Sequence, residues 1–344
     1  MKHIYDLTPG EIAEFCGQNG IAGYRSRQIL QWMYRRKADG FDDFNDLPQD
    51  VRGLLKGAFR LRALDFTAAQ RSALDGTIRY NFTTADGYSV QAVFLPQGGR
   101  NSVCISTQVG CPVGCYFCAS GRVKFVRNLT RGEMLEQIIQ VTSRSSKKIS
   151  GVLLMGMGEP LLNYDNVASA LSAIVNEEEL GIGRRHVTVS TAGFVPQIEK
   201  LAASGAGVRL AVSLHAPDDA TRKKLVPATV PYTVAEIVSA GLGYSRATGS
   251  RLTIEYILAA GVNDTLQSAQ ELVKLLQGHM KKNEDLQINI IACNPVDKSA
   301  FGSPSKKSVD IFRNILSRHG LVAIVRQPRG KDIRAACGQL GTYQ

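Results

Sequence analysis

A chain of 344 residues with 44% hydrophobic and 21% charged side chains has the composition of a globular protein with a sizeable core, in one large or two ordinary domains. No apolar run approaches the ~20 residues of a membrane span, and the start Met1-Lys2-His3-Ile4-Tyr5-Asp6 has no signal-peptide core, so a cytoplasmic protein with no membrane contact is expected. The net charge of +11 favours an anionic partner, nucleic acid first, and seven cysteines point to a reducing compartment with cysteine used as ligand or reagent.

Residues 1–62 read as a helical module. Thr8-Pro9-Gly10-Glu11 is a capping box with Pro at the first helical position, and Ile12, Phe15 and Cys16 follow on one face. A second helix through Gln28–Arg36 turns Ile29, Leu30, Met33 and Tyr34 inward. A third after Pro48 has Val51, Leu54, Leu55 and Phe59 at helical spacing. The outward positions carry Arg25, Arg27, Arg35, Arg36, Lys37, Arg52, Lys56, Arg60 and Arg62. Such an excess of one sign suggests a phosphate grip; the alternative is a solubilising surface.

Residues 63–100 read as a β-meander extension, with hairpin signals at Asp75-Gly76 and Asp86-Gly87. Residues 101–344 then repeat strand, loop and helix. Strands are predicted at 102–107, 151–155, 186–190, 208–214, 251–258 and 286–292, with helices between them and a last strand at 322–326. Six strands alternating with helices argue for a parallel sheet, because helices supply the crossovers that parallel strands need. The α/β fold expected is a partial (β/α)6 barrel with a C-terminal tail.

Chemistry concentrates on the loop Cys111-Pro112-Val113-Gly114-Cys115-Tyr116-Phe117-Cys118. Three thiolates can hold three corners of a cubane iron–sulfur cluster, leaving one iron open to a small molecule; zinc is the alternative. In a barrel of this kind, further site residues belong on the loops after the strands. Gly158 and Glu159 follow the second strand, Ser190 and Thr191 the third, Ser213, Leu214 and His215 the fourth, and Asn294-Pro295 the sixth. Each alone fits a cap or turn equally well; together they suggest a pocket. Cys16 and Cys293 read as buried structural thiols.

The C-x3-C-x2-C spacing resembles the radical S-adenosylmethionine (SAM) superfamily. Five further stretches extend the likeness to the RlmN/Cfr family of radical-SAM RNA adenine methyltransferases. They are Arg127–Thr130, Met155–Asn163, Ser213–Pro217, Gly261–Asp264 and Ala335–Leu340. The Gly-Glu-Pro-Leu-Leu form of the second is nearer the carbon-2 branch. The resemblance implies a [4Fe–4S] cluster on Cys111, Cys115 and Cys118, and SAM contacts from Gly158, Glu159, Ser190, Ser213, Leu214, His215 and Asn294. It implies that Cys337 carries a methyl group and that Cys104 is its disulfide partner. The implied reaction runs through methylated Cys337, from which a deoxyadenosyl radical takes hydrogen. The resulting carbon radical adds to adenine, and Cys104 releases the product. The implied partners are 23S rRNA, possibly tRNA as well, and an external one-electron reductant such as flavodoxin, for a monomeric enzyme.

Three positions depart from the family pattern. Gln91 stands where the family has a glutamate proton acceptor, Cys293 where an aromatic precedes Asn-Pro, and Arg334 where the tail has aspartate. A divergent paralogue with another substrate, and an RNA-binding protein with a structural or redox-sensing cluster, are the competing functions.

Overall fold

The structure, a computed structural model, describes residues 1–36, 38–281, 284, 286–294 and 301–341; Lys37 and Pro295 lie outside them. The N-terminal module contains α1 (Pro9–Gln18), α2 (Tyr24–Tyr34) and α3 (Gln49–Ala58). The Thr8 cap forms as expected: its hydroxyl accepts from the Glu11 amide at 3.2 Å, and the Glu11 carboxylate accepts from the Thr8 amide at 2.7 Å. Ile12, Cys16, Ile29, Met33, Val51 and Leu55 are buried between the helices. Leu54, expected inward, is 41% exposed, because the apolar stripe of α3 runs through Val51 and Leu55 alone.

The basic face is less free than its composition suggested. Arg35 donates to the Glu177 carbonyl at 2.6 Å, and Arg36 pairs with Asp46 at 2.9 Å. Lys56 pairs with Asp42, and Arg62 with Asp39. These charges hold the module together and seat it on the rest of the chain. Arg27 and Arg60 remain outward.

A single ten-stranded sheet follows. It comprises β1 (Leu64–Arg71), β2 (Ile78–Thr84), β3 (Ser89–Gln97), β4 (Arg100–Cys104), β5 (Gly151–Leu154), β6 (Val187–Thr191), β7 (Arg209–Ser213), β8 (Leu252–Leu258), β9 (Leu286–Ala292) and β10 (Val322–Arg326), paired in chain order. The first four run antiparallel and β4 to β10 run parallel. The meander is therefore continuous with the barrel sheet. It joins through Gly98 and Gly99, whose φ values of 48° and 87° make the tight turn that side chains disfavour. The 322–326 segment is a seventh parallel strand, in register with β9 at Ile290↔Val325.

The crossover helices are α4 (Arg131–Ser145), α5 (Tyr164–Val175), α6 (Val195–Ala203), the short α7 (Asp219–Lys223), α8 (Val234–Thr248), α9 (Leu266–His279) and α10 (Lys306–Arg318). Helix α4 is buried from Arg131 to Val141 and touches every layer. Its Arg131 donates to the carbonyls of Tyr5 and Leu7 in the N-terminal module and pairs with Glu179, which also accepts from Tyr34 at 2.9 Å. Removing one member of a buried pair strands the other's charge, which costs about 3 kcal/mol or more. Arg131→Met is expected to lower the free energy of unfolding measured in urea by that amount; an unchanged value would show that the pair does not hold module to barrel.

Candidate active site

The cysteine loop leaves the barrel after β4. Gln108–Val109 pairs with Arg127–Asn128, and the Cys111 amide donates to Val123 at 3.3 Å, so the chain doubles back over its own entrance. Two glycines make the crossing possible. A Cβ on Gly110, whose φ is +75°, would fall 2.1 Å from the Lys124 carbonyl oxygen, and one on Gly121 would fall 2.6 Å from that of Cys115.

Cys111, Cys115 and Cys118 line one cavity of about 170 Å³ together with Gly158, Glu159, Ser190, Ser213, His215 and Cys337. Burial pushes the Cys111 thiol up to about 11 and Cys115 well above its ordinary value, with the neighbouring thiolates adding to both. A metal that binds thiolate removes those protons. Three soft thiolates lining one cavity fit a cubane, which offers each of them its own iron corner.

Glu159 is buried and accepts from the Leu161 amide at 3.0 Å and the Ala192 amide at 2.7 Å. Burial pushes its carboxyl up to about 7 despite these bonds. An ammonium ligand would supply the counter-charge that it lacks among the described residues. Gly158 has φ +105° and lies against Gln108, whose side-chain carbonyl accepts from the Glu159 amide at 2.7 Å. The Ser190 and Ser213 hydroxyls are 3.4 Å apart on adjacent strand ends.

His215 has φ 62° and turns its Nδ1 to accept from the Ile257 amide at 3.1 Å, which leaves the proton on Nε2. Burial first, then the charge of Arg222, pushes the imidazole down to about 3, so it is neutral. Leu214 and Asn294 are placed differently. Leu214 is fully buried in the core, and Asn294 donates to the Cys337 carbonyl at 3.3 Å, holding the tail.

The tail reaches this cavity by crossing from β10 to the meander. The Gly330 amide donates to Asp75 at 2.9 Å, and Asp332 accepts from the Ala73 amide at 3.1 Å. Beyond Cys337, the Gly338 carbonyl accepts from the Ala119 amide at 2.7 Å, and the Leu340 carbonyl accepts from the Ser120 hydroxyl. Cys337 is accessible because it lines an open cavity, and deep because protein surrounds that cavity; burial pushes its thiol up to about 11, and Glu255 adds to the shift. Cys104 lies beneath the tail among Val93, Ile333, Ala335 and Leu340. Burial, then the charge of Cys337, pushes it up to about 12. Both are free thiols. Gln91 is buried on the same side: its amide donates to Asn81 at 2.9 Å and accepts from the Gly341 amide at 3.1 Å.

Sequence reasoning missed two buried charges. Arg222 donates to the carbonyls of Ala192, Ser213 and Leu214, tying the ends of β6 and β7 below the cavity. Nothing distinguished it from the adjoining Lys223 and Lys224. Glu255 lines the cavity and accepts from Asn289 at 2.8 Å. A lone carboxylate inside the apolar strand Leu252–Leu258 was its signal.

The radical SAM superfamily profile matches residues 105–276, and that of the ribosomal RNA large subunit methyltransferase N-terminal domain matches residues 2–61. The chain is 46% identical over 340 residues to a probable dual-specificity RNA methyltransferase RlmN of Endomicrobium trichonymphae, covering 99% of this chain and 97% of that protein. Identity to the like-named protein of Thermotoga neapolitana is 42% over 341 residues, with the same coverage. The crystal structure of a radical SAM methyltransferase from Sphaerobacter thermophilus superposes with a TM-score of 0.93 at 40% identity, covering 98% of this chain and 99% of that one. With module, cysteine loop and barrel matched along nearly its whole length, this chain belongs to the RlmN family of radical SAM RNA methyltransferases, which use a [4Fe–4S] cluster and SAM.

Proposed function

We propose that the chain methylates carbon 2 of adenosine in 23S rRNA, and of a tRNA adenosine as well, by way of a methyl group carried on Cys337. The observation that carries this reading is the tail, which puts Cys337 on the wall of the three-cysteine cavity with Cys104 directly behind it. Adenine carbon 2 is electron-poor and cannot attack a SAM methyl, so a carrier sulfur is needed. In this reading the Cys337 thiolate displaces the methyl from SAM: the sulfur–carbon bond forms and S-adenosylhomocysteine leaves.

Bound to Cys111, Cys115 and Cys118, the cluster supplies the one-electron cleavage of a second SAM that activates the Cys337 methyl. Glu159 and the two serines hold that SAM, and Cys337 presents the activated carbon to the base. Once the base is linked through that carbon, and the adduct has given up its ring proton and, to the oxidised cluster, its unpaired electron, the Cys104 thiolate attacks the Cys337 sulfur. The disulfide forms as the sulfur–carbon bond breaks, the bonding pair stays with the departing carbon, and that carbon takes up a proton to complete the new methyl group. Outward Arg27 and Arg60 belong to the RNA contact of the N-terminal module, and an RNA substrate places the protein in the cytoplasm.

Gln91 bears on one step. A side-chain amide cannot take the ring proton at neutral pH, and both ends of this one are engaged with Asn81 and the tail.

Three outcomes test the reading. Anaerobically prepared protein should contain iron and sulfide, and Cys→Ala at 111, 115 or 118 should remove them while Cys337→Ala does not; stoichiometric zinc without iron would sink the assignment. Cys337→Ala should abolish methyl uptake from labelled SAM, whereas Cys104→Ala should accumulate a protein–RNA crosslink; unchanged product from either would refute the pair. In single-turnover decay of the protein–RNA adduct with Cys104 intact, Gln91→Glu should release RNA ~100-fold faster or more than wild type, the usual contribution of a placed general base; equal rates would mean that the proton leaves by another route.

A further inference from the structure

An electron must reach the cysteine loop from outside the protein. The inner side of the loop faces the cavity, where SAM, the nucleobase and the Cys337 tail all compete for space. That leaves the outer side. We propose that the outer face of the cysteine loop, centred on Tyr116 and rimmed by Lys124, Lys223 and Lys224, is the docking site of an acidic one-electron carrier protein. The proposal rests on the reading that Cys111, Cys115 and Cys118 hold the cluster.

Tyr116 is the covalent neighbour of Cys115 and two residues from Cys118, and consecutive Cα atoms are ~3.8 Å apart. It is 50% exposed although its loop is otherwise half-buried or buried. A large aromatic held in water next to Cys115 offers a short covalent path from the surface to a cluster held on that loop.

The two segments that flank it carry charge of one sign. They converge on the loop. The Tyr116 amide donates to the Leu225 carbonyl at 3.0 Å, and the Cys111 amide to Val123 at 3.3 Å. At Gly114 the segments meet: its Cβ direction comes within 3.7 Å of Pro227 and 3.9 Å of the Gly121 carbonyl. Residues 111–132 and 220–235 contain no Asp or Glu. Lys124, Lys223 and Lys224 are exposed on them, and Phe125 and Val126, next to Lys124, are 38% and 41% exposed. Solvated surfaces normally mix both signs. An apolar centre with a charged rim is the anatomy of a protein interface, and small transient redox contacts use such patches with electrostatic steering. RNA would also accept cations and aromatics. It must reach Cys337 on the cavity side, however, and the carrier need only reach the loop.

The test compares wild type with Lys124→Glu/Lys223→Glu/Lys224→Glu, using the full chain loaded with cluster. A reduced bacterial flavodoxin serves as the acidic carrier and dithionite as the chemical reductant. Flavodoxin-driven SAM cleavage should fall tenfold or more, the scale of lost electrostatic steering, while dithionite-driven cleavage and RNA affinity stay as in wild type. Binding of flavodoxin to cluster-free protein should weaken in parallel, and wild-type binding should weaken with salt. The milder Lys223→Gln/Lys224→Gln variant, altering two exposed side chains, should show a smaller loss in the same direction. Equal losses with both reductants, or a loss of RNA affinity with flavodoxin binding intact, would overturn the proposal and in the second case assign the patch to RNA. Wild type without iron would instead fail the cluster reading itself.

Discussion

Helix α4 is the member on which the other parts depend, and it works through buried polar groups. Glu136 accepts from the amides of Ala63 and Leu64, where the chain leaves the helical module and enters the sheet. Gln137 exchanges hydrogen bonds with the backbone of Ser106, just past β4, and Gln140 donates to the Leu64 carbonyl. A buried polar group without its partner costs more than a good bond gains, so these contacts tolerate one arrangement only. Module, meander and the strand that launches the cysteine loop are thereby held in a single geometry.

The electrostatics of the cavity follow from the same burial. Burial raises the thiols of Cys111, Cys115 and Cys337 and keeps His215 neutral, while Arg222 spends its donors on strand-end carbonyls. SAM would bring a sulfonium and an ammonium to this cavity, and iron would take the cysteines as thiolates.

Much of this was legible in the chain because the signals are local. Capping boxes at Thr8 and Thr130, the alternation of strand and helix, and three cysteines in one loop are each written within a few residues. What escaped is long-range. Counting Arg35 and Arg36 as free cations ignored partners at Glu177 and Asp46 that only the fold brings near. The bond from Asn294 to a tail carbonyl 43 residues away is likewise made only by the fold. Gly98-Gly99 carried a turn signal that was local and still missed, which shifted the start of the first parallel strand and hid the meander's continuity with the sheet.

The strapping of the tail has a consequence for how the enzyme comes into being. The contacts that seat Cys337, from Asp75 and Ala73 to Ala119, Ser120 and Gln91, lie on earlier parts of the chain, which leave the ribosome before the tail does. Chains fold from the N-terminus during synthesis. Module, meander and barrel can settle before Cys337 emerges, and the methyl carrier joins a finished cavity. A translation product that stops short of Cys337 would keep the cysteine loop while lacking the sulfur proposed to carry the methyl group.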